Sequence, residues 1–235
     1  MKKLTLTAFL SILVLFAVAI VTASADSVTF TYSGDNSVIG AWEIVNGGSP
    51  TAISIPPVQS WQTASSFQLN LSAQNSYEIV WQVVNNDWPL YRPPSADNPG
   101  GFLAQISGPA SYENILSSSS WQVASTMGSL AELSSSGVLN SLTWSNATLY
   151  GANNNSGTIW NSVNGGSVAG IDGSAQWIWT AANFANPGAP GALDSVFIAT
   201  TITDPPPVAT PEPSSMLFLG AGLVGLVGFR KKLKK

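Results

Sequence analysis

Apolar and polar positions alternate with a period of two along most of the chain between residues 26 and 203. Val28, Phe30 and Tyr32 alternate with Thr29, Thr31 and Ser33, and Phe67, Leu69 and Leu71 alternate with Gln68 and Asn70. Tyr77, Ile79, Trp81 and Val83 share one face of a longer strand, with Glu78, Val80, Gln82 and Val84 on the other. Because successive side chains of a strand point to opposite faces, this pattern predicts strands with one face turned to a core. Further strands are expected at 101–106, 144–150, 175–179 and 196–202. Turn-forming clusters such as Asn46-Gly-Gly-Ser-Pro50 and Asn153-Asn-Asn-Ser-Gly157 separate them. Only Ser125 to Leu133 suggests a helical turn or two. Short strands punctuated in this way predict an all-β fold, an antiparallel β-sandwich.

Both ends break the alternation. Met1-Lys2-Lys3 is a basic start, Leu4 to Val21 is apolar, and Ala23-Ser24-Ala25 is an A-x-A site, so residues 1–25 are expected to be a secretory signal peptide cleaved after Ala25. At the other end, 204–213 holds five prolines in ten residues, which favours an extended spacer. Ser214 to Phe229 carries no charge, and a basic stop follows at Arg230, Lys231, Lys232, Lys234 and Lys235. As a helix, 214–229 would rise about 24 Å against a hydrocarbon layer of about 30 Å. It is a short membrane span that needs snorkelling of Arg230 or local thinning. The resulting division is signal peptide 1–25, sandwich 26–203, linker 204–213, transmembrane helix 214–229 and cytoplasmic tail 230–235.

Charge agrees with that topology. Seven of the eight cations sit at the two ends, so Arg92 alone faces twelve acids in 26–213, a net of −11. Terminal cations hold their flanks on the cytoplasmic side while the stretch between them is translocated. An acidic body with one arginine does not neutralise phosphates, which excludes nucleic acid as a partner. With no cysteine and no histidine, thiol catalysis, the serine triad and ordinary zinc sites are excluded too. Carboxylate chemistry is what remains.

Pro211-Glu212-Pro213, then a Gly-rich apolar segment with Gly220, Gly222, Gly225 and Gly228, then the basic stop, resemble the PEP-CTERM sorting class of bacterial surface proteins. The resemblance covers about the last 28 residues. It implies an exosortase as processing partner, with signal peptidase and the secretion translocon acting at the other end. It also implies transient residence in the inner membrane of a Gram-negative cell, and delivery to the cell surface or extracellular matrix.

A second resemblance concerns the body. Asp35-Asn36 with Trp42-Glu-Ile-Val-Asn-Gly47, Tyr77-Glu-Ile-Val-Trp-Gln-Val-Val-Asn85 and Asn98-Pro-Gly-Gly-Phe-Leu-Ala-Gln-Ile106 are similar to galactose-binding-like or PA14-like jelly rolls, with the order of strands permuted. That similarity implies carbohydrate binding. Trp81 and Trp179, mid-strand, are expected in the core. Trp88, Tyr91 and Arg92, in the Pro-rich loop after Asn85, are the candidate ligand residues, although Arg92 can equally pair with Asp87 or Asp97. Asp35-Asn36 and Asp172 look like fragments of calcium loops without the repeated carboxylates of a defined motif, so structural calcium stays a minor alternative and no cofactor is expected. The expected role is non-catalytic association with exopolysaccharide or the envelope. The alternatives are an adhesion protein that binds another protein, or a glycoside hydrolase using two of Glu43, Glu78, Asp87, Asp97 and Glu113.

Overall fold

The computed structural model describes residues 25–56, 61–72, 75–84, 100–109, 112, 114–128, 136–180, 193–203 and 221–222. Ala25–Pro205 forms one compact unit. Of the second unit, 1–24 with 206–235, only Ala221 and Gly222 are described, and both are helical. Among the described residues no helix is long and apolar enough to cross a membrane.

Twelve strands follow in chain order among the described residues: β1 (Ala25–Asp35), β2 (Ser37–Val45), β3 (Thr51–Ala52), β4 (Ser65–Ser72), β5 (Ser76–Val84), β6 (Gly101–Ser107), β7 (Ile115–Leu116), β8 (Gln122–Gly128), β9 (Ser145–Asn146), β10 (Thr148–Ala152), β11 (Gln176–Trp179) and β12 (Leu193–Thr203). They pair antiparallel in two sheets. One runs β10-β11-β6-β1-β4, with β7 also on β6, and the other runs β3-β2-β5-β12-β8-β9. β1 ends in the first sheet and β2 begins in the second, and the chain passes between them over Asn36, whose backbone N–H donates to Val84 O at 2.7 Å. Asn46 and Gly47, at φ 51 and 69, turn the chain from β2 toward β3, with Gly48 N donating to Val45 O at 2.9 Å. Two consecutive positive φ values are what a type I′ turn demands, and Asn-Gly supplies them at little steric cost.

The alternation read from the sequence becomes the sandwich interior. Val28, Phe30 and Tyr32 of β1 face Tyr77, Ile79, Trp81 and Val83 of β5 across one buried cluster. Trp81, fully buried, stacks on Trp121 at 5.7 Å and tilts against Phe102 at 5.3 Å and Phe30 at 6.2 Å. Trp179 is buried in the same cluster. The outward faces are not all wet. Val80 and Phe197 pack with Trp42 under Leu139 of a 3-10 helix, Ser136–Ser141. For that reason β5 is buried on both faces from Ile79 to Val84, with Gln82 bonded through Nε2 to Ser195 Oγ at 3.0 Å.

One predicted element is wrong. Residues 122–128 are strand β8, paired along β12 from Ala199↔Gln122 to Leu193↔Gly128, where a helical turn was expected from Ser125 onward. Trp121 and Val123 are buried in the interior, and pairing with the long β12 outweighs the weak helical preference of Ala-Ser-Thr-Met. Residues 129–135 lie outside the described residues.

Tyr32 gives the fold an alkaline limit. Its hydroxyl donates to Pro56 O at 2.8 Å, and burial pushes its pKa from 10.0 up to about 12. The unfolded chain therefore releases this proton first, so the stability that Tyr32 contributes is intact below pH 10 and is lost as pH rises toward 12. Tyr32→Phe is expected to flatten that decline in urea melts at pH 9 to 12. An unchanged slope would assign the alkaline loss elsewhere.

Candidate functional site

Two opposite ends of the sandwich organise its surface. Ala25 pairs with Ser72, and Thr203 pairs with Ser76 across the short connection between β4 and β5, so the body's first and last strands start and finish at one end. The opposite end gathers Asp35, Val84, Gly101 and Trp179. The connection that carries Trp88, Tyr91 and Arg92 leaves there after Val84 and returns at Gly100. Those three residues, with Asp87 and Asp97, lie outside the described residues. Its return is sterically defined: a Cβ on Gly100 would lie 2.4 Å from the Trp179 ring, and one on Gly101 would lie 2.5 Å from Trp160. Ala23, Pro211, Glu212, Pro213 and the basic stop are likewise outside the described residues, whereas Ala25 opens β1.

Outside β6 and β11 a second aromatic cluster covers the first sheet. Its framework is the 153–175 segment, which contains helix α1 (Ile159–Asn164). Thr158 caps α1 by accepting from Asn161 N at 3.3 Å, and Gly165 closes it at φ 74. Two buried asparagines replace regular pairing here. Asn153 Nδ2 donates to Val168 O and Ile171 O at 3.1 and 2.9 Å while its Oδ1 accepts from Val168 N, and Asn161 Nδ2 donates to Asn153 O and Asn155 O. Trp160 of α1 then stacks on Trp177 at 4.6 Å and donates from Nε1 to Asp35 Oδ2 at 3.1 Å. Trp61 meets Trp177 edge-on at 6.5 Å.

Farther along the same sheet the outward-facing positions of β4, β1 and β6 are polar and uncharged, with Asp172 bonded at the Gln105 edge. Ser27 of β1 stands opposite Asn70 of β4, Thr29 opposite Gln68 and Ser107, and Thr31 opposite Ser66 and Gln105. Thr31 and Ser66 share a hydrogen bond of 3.0 Å, and Gln68 Nε2 donates to Thr29 Oγ1 at 3.2 Å. The array offers hydroxyl and amide groups that can donate and accept, with no formal charge.

Of the candidate acids, Asp87, Asp97 and Glu113 lie outside the described residues, and Glu43 and Glu78 separate. Glu43 stands opposite Ile79 and Glu78 opposite Ile44, so adjacent positions of the β2–β5 ladder put the two carboxylates on opposite faces of their sheet. Burial holds Glu78 above the usual carboxylate range. Asp172 accepts from Ser174 N at 2.8 Å and from Ser174 Oγ, which lowers its pKa, and its backbone N–H donates to Gln105 Oε1. Asp172 thus caps its own turn, while Asp35 receives an indole N–H. Among the described residues no three acidic side chains group together in a way that could hold a metal ion.

Neither the aromatic cluster nor α1 was foreseen. A signal was present in Thr158-Ile-Trp-Asn-Ser-Val-Asn-Gly165, a capping residue and a terminal glycine around a helix too short for apolar periodicity to reveal.

Residues 209–232 match the family model of the PEP-CTERM protein-sorting motif. The tail therefore marks an exported surface or extracellular protein and implies an exosortase as its processing partner. No curated protein and no solved structure matches the chain.

Proposed function

We propose that this protein is a non-catalytic component of a polysaccharide-rich surface or matrix layer, and that its sandwich associates with neutral exopolysaccharide. Residues 1–25 direct it through the secretion translocon and are removed by signal peptidase. The tail then holds it briefly in the inner membrane of a Gram-negative cell until an exosortase acts. The resemblance of the body to carbohydrate-binding jelly rolls supports this reading. The observation that carries it is the uncharged hydroxyl and amide face of β4, β1 and β6 on a chain whose exported stretch has a net charge of −11. Such a surface matches sugar hydroxyls, and the surrounding negative field disfavours uronate-rich or phosphorylated chains.

Affinity electrophoresis of the processed protein tests this. The gels contain exopolysaccharide from the producing culture, galactomannan, hydroxyethylcellulose or alginate. Retardation by the culture's exopolysaccharide or a neutral glycan, relieved by free oligosaccharide, is expected. Free migration in every gel would overturn the reading in favour of a protein-binding adhesin. Release of reducing ends would overturn it in favour of a hydrolase.

A further inference from the structure

We infer that Tyr150 is the stacking platform of a sugar subsite that takes one neutral pyranose ring. This deepens the polysaccharide reading and rests on it.

The placement begins with the ladder. β10 is an edge strand, and its pairing with β11 passes from Leu149↔Ile178 to Gly151↔Trp177, which leaves Tyr150 as an extra residue. A bulge of this kind re-aims one side chain relative to the sheet. Gly151 makes it feasible: its φ is +114, and a Cβ there would stand 2.5 Å from the Thr158 methyl carbon. Any other residue would meet both backbone strain and a clash.

Tyr150 is then held from two sides. Its hydroxyl donates to Thr180 O at 3.0 Å, and its ring meets Trp160 edge-on at 6.0 Å with planes at 90°. Trp160 is itself fixed by Trp177 and Asp35. The residue nevertheless stays 39% exposed. Singly exposed aromatic residues are commonplace. This one differs in being anchored through its polar end while part of it stays in solvent, so binding costs little further side-chain freedom. A phenol ring offers the C–H groups of a sugar an apolar face with a negative quadrupole.

A polar group stands beside the neighbouring Gly151. Asn155 is exposed, its Oδ1 accepts from Gly157 N at 2.9 Å, and its Nδ2 lies 3.5 Å from the position a Cβ would take on Gly151. That amide can donate to a ring hydroxyl while the sugar stacks on Tyr150. No residue from Ser145 to Gly170 is charged, which suits a neutral ring.

The test uses the processed protein recovered from its producing cells, as wild type, Tyr150→Phe and Tyr150→Ala, in the same gels. Far-ultraviolet circular dichroism checks that each variant is folded. Tyr150→Ala is expected to weaken retardation about tenfold, the scale of one lost aromatic contact and its immobilised ring. Tyr150→Phe, which keeps the ring, is expected to stay within about threefold of wild type. A bound wild type with an equally bound, folded Tyr150→Ala would overturn the subsite and leave the polysaccharide reading standing. A wild type bound by no glycan would overturn both. Should Tyr150→Ala fail to fold, Asn155→Ala decides: expected loss is about threefold, and undiminished binding overturns the subsite.

Discussion

Trp81→Ala is expected to lower the thermal midpoint of the body by about 6–20 °C. Trp81 is fully buried where the two sheets meet, ringed by Phe30, Phe67, Phe102 and Trp121 at centroid distances of 5.3 to 6.4 Å. Truncating such a side chain removes its transfer free energy and leaves a cavity that four aromatic neighbours, three of them in strands and Trp121 just before β8, cannot fill. The cost of such a change is about 3–5 kcal/mol. For a body of this size each kcal/mol moves the midpoint by about 2–4 °C. Against a typical total of about 5–15 kcal/mol, one substitution removes about a fifth of the margin or more. Near-ultraviolet dichroism should change too, because the Trp81–Trp121 stack is lost. Trp61→Ala is the comparison: Trp61 is only half-buried and meets Trp177 by its edge, so its effect should be well under half as large. Equal midpoints for Trp81→Ala and wild type would mean that the sandwich interior is not where the fold's stability resides.

Much of this architecture was legible because strands announce themselves locally. Period-two alternation in β1, β4 and β5 needs no knowledge of partners, and the inward face of each was identified correctly. The order of strands was not legible, since β12 sits between β5 and β8 through pairings that span most of the chain. β8 was partly misread as helix for the same reason: its strand conformation is imposed by β12 rather than by Ala124-Ser-Thr-Met127. At the candidate site the same limit applies. Tyr150 looks ordinary in sequence, and only the register shift against β11 and the neighbouring Trp160 distinguish it. The sorting class of the tail was legible, because a sorting signal works as a linear order of motif, apolar segment and basic stop. Its match at 209–232 needs no fold at all.

That linear character makes the second large effect close to all or none. Pro211, Glu212 and Pro213 follow the last strand, which ends at Thr203, in a stretch whose proline content favours an extended chain. Pro211 and Glu212 lie beyond Thr203 in sequence, outside the compact unit Ala25–Pro205, so Pro211→Ala and Glu212→Ala are expected to leave its folding unchanged. They remove a fixed φ and the one negative charge of the Pro-Glu-Pro motif, and both are expected to abolish processing. With recognition lost, the apolar segment and its five cations stay on the protein, and the product changes from processed to membrane-held.

Intact mass of the protein recovered from the medium, cell surface and membrane of its producing cells, with and without Pro211→Ala and Glu212→Ala, tests the central claim most directly. Processing by an exosortase predicts a wild-type product that begins at Asp26 and ends near Pro213, absent from both variants, which instead retain Lys235 in the membrane. Wild-type protein that keeps Lys235 and behaves like the variants would contradict the account and reduce the tail to a simple anchor.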